Sequence, residues 1–304
     1  MKTNSSLTSA PLTIRPQLKI STERRRPFRI CYLDLEFENL PEAFHNCRIV
    51  QLTDLHYGPG TSKARITQMV ALTVELNPDL IVFTGDYVQY SVTGAHHILA
   101  ARVNPNLFGW ANYRRAIRAI TMELRTLLEP LRAPDGILGI FGNHDNNERL
   151  GTIQRKLDDK IRSLKNSAAL IKKQGSSIAI YGTDDFKRGS PDLAHTLRHP
   201  DPFHPPDNIA VKILLAHNPD ITLLPHGELL SSVHLILCGH THGGQIRIPG
   251  LPPLLSRTKQ RRHIHELSYT GDTPLYISNG VGQGGIPIRV FCPPEIVLVT
   301  LKRA

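Results

Sequence analysis

The chain predicts an α/β fold whose strands are buried on both faces, and three features of the sequence carry that expectation. Short apolar runs rich in β-forming residues recur along most of its length, and helical stretches with one apolar face separate several of them. The residues that follow the runs are mostly glycine, aspartate, asparagine and histidine. Strands joined by helices make layered sheets, and such sheets bind ligands just beyond the carboxyl ends of their strands.

Residues 1–27 are rich in Ser, Thr, Lys, Arg and Pro without helical or strand periodicity, and read as a flexible basic tail ahead of one domain over 28–304. Strands are expected at Arg48–Thr53, Leu80–Thr84, Ile137–Phe141, Ser177–Tyr181, Val211–Ala216, Val233–Cys238, Leu275–Ser278 and Ile296–Leu301. Helices are expected at Ala64–Leu76 and Tyr113–Leu131. In the second, Ile117, Ile120, Leu124, Leu127, Leu128 and Leu131 repeat at helical spacing and form one apolar face for the core.

With 304 residues, 40% hydrophobic and 20% charged, the chain has the composition of a globular protein that can bury a substantial core. No apolar run approaches the roughly 20 residues that cross a bilayer. Arg24, Arg25 and Arg26 resemble a twin-arginine signal, but charges interrupt the segment from Pro27 to Glu38, so a cytoplasmic protein is expected. Cys31, Cys47, Cys238 and Cys292 lack paired metal spacing and read as reduced core thiols. Lys and Arg outnumber Asp and Glu by 36 to 26, a formal +10 that favours anionic partners: phosphates, nucleic acid or an acidic membrane surface.

The strand ends hold the chemistry. Asp54 and His56 stand in TDLH, Asp86 in TGD, Asn143 and His144 in GNHD, His217 in LAHNPD, and His240 and His242 in GHTH. An aspartate after a strand ordinarily caps the next helix, and a lone histidine ordinarily satisfies a loop hydrogen bond. Converging on one rim, however, these carboxylates and imidazoles need cations to neutralise and order them. Gly85, Gly142 and Gly239 allow tight turns and close backbone approach there.

DLH, GD, GNHD, a later AH and GHTH, in that order, resemble the five blocks of the calcineurin-like metallophosphoesterases, from about Phe28 to the C-terminus. The resemblance implies a layered α/β/β/α sandwich with two central mixed sheets flanked by helices. It also implies two divalent metal ions. Asp54, His56 and His242 would hold one, Asn143, His217 and His240 the other, and Asp86 would bridge them. Such a pair clamps a phosphate and activates water, which fits the absence of a G-x-S-x-G nucleophile elbow. His144 would reach the substrate as proton donor or phosphoryl clamp, with Asp145 either orienting it or capping the helix after GNHD. The mix of imidazole, carboxylate and amide oxygen suits Mn²⁺ first, with Fe²⁺ and Zn²⁺ as alternatives.

Within the family, NLPEAFHNCRIVQLTDLHYGP, GHTHGGQIRIPG and GVGQGGIPIRVFCPPEI resemble a branch that includes bacterial phosphodiesterases and a UDP-2,3-diacylglucosamine pyrophosphatase. This implies hydrolysis of a phosphodiester or pyrophosphate bond in a lipid-linked substrate, as in lipid A biosynthesis, with peripheral association at the inner membrane face. The segment from Asp86 to Asn143 is longer than the family's, so residues 88–131 read as an insertion able to cap the site or simply to pack on the body. Within it Phe108, Trp110 and Tyr113 lie beside Arg102, Arg114 and Arg115, a mixture that holds acyl chains or bases.

Arg257, Lys259, Arg261, Arg262 and His263 form a second basic stretch, suited to a diphosphate, a bilayer or plain solvation. Arg289 is a candidate to close the site, while Asn279 stands in ISNG where the branch has ISRG. Trp110, Arg261 and Arg289 are the substrate-contact candidates. A nuclease or cyclic-nucleotide phosphodiesterase is the alternative enzyme, expected to bind nucleic acid in a salt-dependent way. A non-catalytic scaffold is the third reading, and every expected ligand is present.

Overall fold

A computed structural model describes residues 16–90, 110–147, 150–198, 209–225, 227–251, 253, 257–260, 264–285 and 287–304. Two sheets stack face to face. The first runs β1 (Gln17–Arg25), β2 (Phe28–Phe37), β13 (Glu295–Arg303), β3 (Arg48–Leu52), β4 (Leu80–Thr84), β5 (Ile137–Ile140), β6 (Arg162–Ser163). The second runs β11 (Glu266–Thr270), β12 (Thr273–Ile277), β10 (Leu235–Cys238), β9 (Ile209–Leu215), β8 (Ser176–Gly182), β7 (Ser167–Lys173). Both are mixed: β3, β4 and β5 are parallel, whereas β13 is parallel to β2 and antiparallel to β3.

The two-residue period of a strand divides its side chains between two cores. Ile49, Leu80, Val82, Leu138 and Ile140 meet Ile178, Ile180, Ile213, Leu235 and Leu237 between the sheets. From the same strands Val50, Leu52, Ile81 and Phe83 point outward, onto α1 (Lys63–Glu75), α2 (Trp110–Leu128) and α4 (Leu150–Leu157) through Ile66, Met69, Ile117, Leu124, Leu128, Ile153 and Leu157. On the far side Leu214, Ile236 and Cys238 pack under Leu193, Ile221, Leu230 and Val233. The layers are therefore α/β/β/α, and both central strand bundles are buried on both faces, which is why they read as continuous apolar runs.

Residues 17–25 correct the expected tail. They form an antiparallel edge strand in register with β2, from Gln17↔Glu36 to Arg25↔Phe28. Most of the strand's side chains are exposed, with Lys19 paired to Glu36 at 2.7 Å. A backbone ladder holds it, so no apolar alternation marks it, and charged side chains guard its open edge. Residues 1–15 lie outside the described residues.

The 88–131 insertion is described only in part. Its helical portion packs on the body along the predicted stripe, and Tyr113 meets Tyr90 edge-on at 5.1 Å. Residues 91–109, which include Arg102 and Phe108, lie outside the described residues, as does the side chain of Trp110. The four cysteines are buried and free. Among the described residues no helix is long and apolar enough to cross a membrane.

Candidate metal centre

Parallel strands β3, β4, β5, β9 and β10 all end on one rim, and each delivers a loop there. After β3 come Asp54 and His56, after β4 Asp86, after β5 Asn143, after β9 His217, and after β10 His240 and His242. These side chains are buried. They gather into two groups sharing one carboxylate's surroundings: Asp54, His56 and His242, and Asp86, His217 and His240, with His144 beside His56 and Asp86. Asp86 Oδ2 lies 3.4 Å from His56 Nε2 and 3.2 Å from His217 Nε2, between the groups.

Two of the imidazoles are oriented by backbone carbonyls. His217 Nδ1 donates to the Thr84 carbonyl at 2.8 Å and His240 Nε2 to the Arg257 carbonyl at 3.2 Å. Their remaining nitrogens, His217 Nε2 and His240 Nδ1, point at each other 3.2 Å apart. His56 Nε2 and His242 Nε2 do the same at 3.0 Å. Ring nitrogens that converge in this way, with carboxylate oxygens around them, are an arrangement that a bound cation would order. Asn143 supplies another sign: its Oδ1 is buried and makes no hydrogen bond among the described residues. An acceptor left bare in a polar cluster fits a metal ligand.

The charge balance agrees. Burial works against ionisation of Asp54 and Asp86, but His56 and His217 more than offset it and hold both carboxyls below the usual range, Asp86 far below. Burial likewise opposes charge on His217, yet Asp86 and Asp54 push it up to about 10. Burial drives His240 down to about 3 and His242 well below the ordinary value, the latter with help from the Arg257 charge. Of these imidazoles His217 answers the carboxylates with positive charge, whereas His240 and His242 do not.

Backbone strain marks the same residues. Asp54, His56, Asp86, His240 and His242 all have positive φ, between 43° and 70°. Such conformations cost energy in residues other than glycine and persist where surrounding structure enforces them. Gly142 and Gly239 complete the packing, since a β-carbon at the first would collide with the Asp86 carboxylate and at the second with Thr53 and Asp54. No sequence signal announces those φ values.

His144 is half-buried, its ring edge-on to His56 at 4.7 Å, and its backbone N–H donates to Asp86 Oδ1 at 2.8 Å. Of the two roles left open for Asp145, orienting His144 or capping the helix after GNHD, its contacts resemble the second. Its carboxylate accepts the backbone N–H groups of Asp86, Gly142 and Tyr87 at 2.8, 2.9 and 2.9 Å, so it clamps loop backbone instead of the His144 ring. It lies in the first turn of the short helix α3 (Asn143–Asn147) and is completely buried.

Arg289, a candidate to close the site, is engaged with backbone. Its guanidinium donates to the carbonyls of Asn279, Gly280, Gly282 and Cys292, stapling the C-terminal loop behind His242 rather than reaching for a substrate. The Asn279 amide is buried without a hydrogen-bond partner among the described residues and packs against Gly243. Arg261 lies outside the described residues. Arg257, in sequence only one cation of the second basic stretch, is brought by the fold beside His242.

The sequence profile of the calcineurin-like phosphoesterase family matches residues 47–244, a span holding every candidate ligand. The chain is 30% identical over 266 residues to the metallophosphoesterase YkuE of Bacillus subtilis (strain 168), covering 86% of this chain and 82% of that protein. It is 28% identical over 262 residues to the phosphodiesterase YaeI of Escherichia coli (strain K12), covering 84% and 82%. A 5'-nucleotidase precursor from Thermus thermophilus superposes with a TM-score of 0.46 at 14% identity, over 84% of this chain and 55% of that one.

Proposed function

Because the chain belongs to the calcineurin-like phosphoesterase family and is a metal-dependent phosphoester hydrolase, we propose that it cleaves phosphodiester and pyrophosphate bonds at this centre. At the finer level, we propose a lipid-linked nucleotide of the UDP-2,3-diacylglucosamine type as substrate, met at an anionic membrane surface. One observation carries the reading: two groups of buried ligands, Asp54/His56/His242 and Asp86/His217/His240, meet across the Asp86 carboxylate. A diester activity agrees with the similarity to the phosphodiesterase YaeI, and the formal +10 charge agrees with an anionic substrate or surface.

These side chains and Asn143 would hold two divalent ions, which when bound would supply Lewis-acid charge to the phosphoryl group and the attacking water. Their donor set favours Mn²⁺, then Fe²⁺ or Zn²⁺. His144 is the least buried of the clustered imidazoles. Burial holds its imidazole down to about 4, so it is neutral near pH 7 and offers one N–H to a phosphoryl oxygen. To protonate the leaving oxygen the ring would give up its N–H proton and regain one from the attacking water, so that its own charge is unchanged over the reaction.

The test is a substrate panel after chelation and reloading with Mn²⁺: a chromogenic phosphodiester, a chromogenic monoester, a cyclic nucleotide and UDP-2,3-diacylglucosamine. Cleavage of the first and last, with the lipid-linked nucleotide giving the larger kcat/KM, supports both levels. Diester cleavage without turnover of the lipid-linked nucleotide removes the finer level alone. No cleavage of any of them removes the reading.

A further inference from the structure

Resting on the reading above, we propose that Arg257 is a phosphoryl-binding residue, its guanidinium held beside the metal ligand His242 by close packing on Gly284 and offered to a nonbridging phosphate oxygen. The geometry converges on Gly284. A β-carbon built there would lie 2.7 Å from His242 Nε2 and 2.8 Å from Arg257 Nη1. The metal-facing nitrogen of one side chain and a cationic fork of the other therefore both pack against the Cα of Gly284, a close approach that glycine alone permits. The φ of Gly284 is not positive, so space rather than backbone conformation requires glycine there.

The guanidinium is poised rather than spent. Among the described residues it donates to the Gly284 carbonyl and to no carboxylate. A guanidinium carries five N–H donors in a fixed plane, so most of this fork is available to a ligand. Its field reaches Asp54, Asp86, His144 and His242, all lining the same centre. The main chain of the residue is anchored separately, by accepting the His240 Nε2 hydrogen at 3.2 Å. One residue thus fixes the tautomer of His240 through its carbonyl and turns its side chain toward the space over His242. Arginine in that position suits an oxygen on which charge builds during hydrolysis.

The experiment compares wild type, Arg257→Lys, Arg257→Ala and Gly284→Ala, each loaded with Mn²⁺. Metal content is read by elemental analysis and orthophosphate affinity by titration calorimetry and competitive inhibition. Turnover of a chromogenic phosphodiester is measured with and without added guanidinium. The backbone contact to His240 survives side-chain truncation, so metal content is expected to hold. Orthophosphate affinity in Arg257→Ala is expected to fall at least tenfold and kcat/KM by roughly 100-fold, with partial recovery in guanidinium. Gly284→Ala, whose β-carbon would press on both Arg257 and His242, is expected to weaken orthophosphate binding together with metal content.

Unchanged orthophosphate affinity in fully metallated Arg257→Ala overturns the proposal, as does loss of metal with no guanidinium rescue, which makes the residue structural. Wild type that binds metal but neither binds orthophosphate nor turns over the diester overturns the functional reading itself.

Discussion

Asp145 holds Asp86 by the backbone. One of its oxygens accepts the Asp86 N–H at 2.8 Å and the Gly142 N–H at 2.9 Å, and the other accepts the Tyr87 N–H at 2.9 Å. Two strand-end loops, one after β4 and one after β5, are thereby tied to a single buried carboxylate. The carboxylate proposed to lie between the ions owes its position to its neighbour in space, not to its own strand.

Asp145→Asn is therefore expected to cost about 2 to 3 kcal/mol, because an amide NH₂ would confront backbone donors. It is also expected to lower metal occupancy. Denaturant unfolding with elemental analysis checks both. Full stability and full metal with only a slower kcat would instead restore Asp145 to the service of His144.

His144→Ala should separate chemistry from metal binding. The ring is the least buried of the clustered imidazoles, while its backbone N–H, which the substitution keeps, holds Asp86 Oδ1. Turnover of a phosphodiester should fall by roughly 100-fold or more with both ions retained. Loss of one ion would make His144 a ligand.

His234 sets an acid limit on stability away from the centre. It is buried, its Nδ1 accepts the Lys212 backbone N–H at 2.9 Å, and burial, helped by the Lys212 charge, lowers it to about 4 from an ordinary 6.5. A folded state that keeps the ring neutral is favoured above pH 6.5, and that advantage is lost as pH falls from 6.5 through 4. The full effect is about 3 kcal/mol. His234→Gln, which cannot titrate, should lose less stability than wild type between pH 6.5 and 4 in urea unfolding. Parallel losses in the two proteins would contradict the assignment.

Arg289 and Arg257 should behave oppositely. Arg289→Ala leaves the carbonyls of Asn279, Gly280 and Gly282 without their donor, so unfolding should ease by about 2 to 4 kcal/mol, with orthophosphate affinity unchanged in the protein that remains folded. Weakened orthophosphate binding at undiminished stability would return Arg289 to the substrate.

The strands that build the rim were legible because burial on both faces makes them continuous apolar runs. Val50 and Ile49 serve different cores yet read alike. The helix stripe from Ile117 to Leu128 was legible for the same reason, its period matching the helix. β1 was not, since a polar edge strand is held by backbone hydrogen bonds that side-chain pattern does not encode. Neither were the roles of Asp145 and Arg289, because their partners are main-chain atoms brought near from 58 and 10 residues away. Arg257 was visible only as one cation in a basic stretch. What sets it apart is the folding of its loop onto Gly284, a contact across 27 residues.

The most direct measurement is the anomalous scattering of crystals grown with Mn²⁺. Two peaks are expected, about 3.5 to 4 Å apart, one among Asp54, His56 and His242, the other among Asn143, His217 and His240, with Asp86 touching both. A single peak, or none between these side chains, would contradict the two-metal centre on which the proposed chemistry stands.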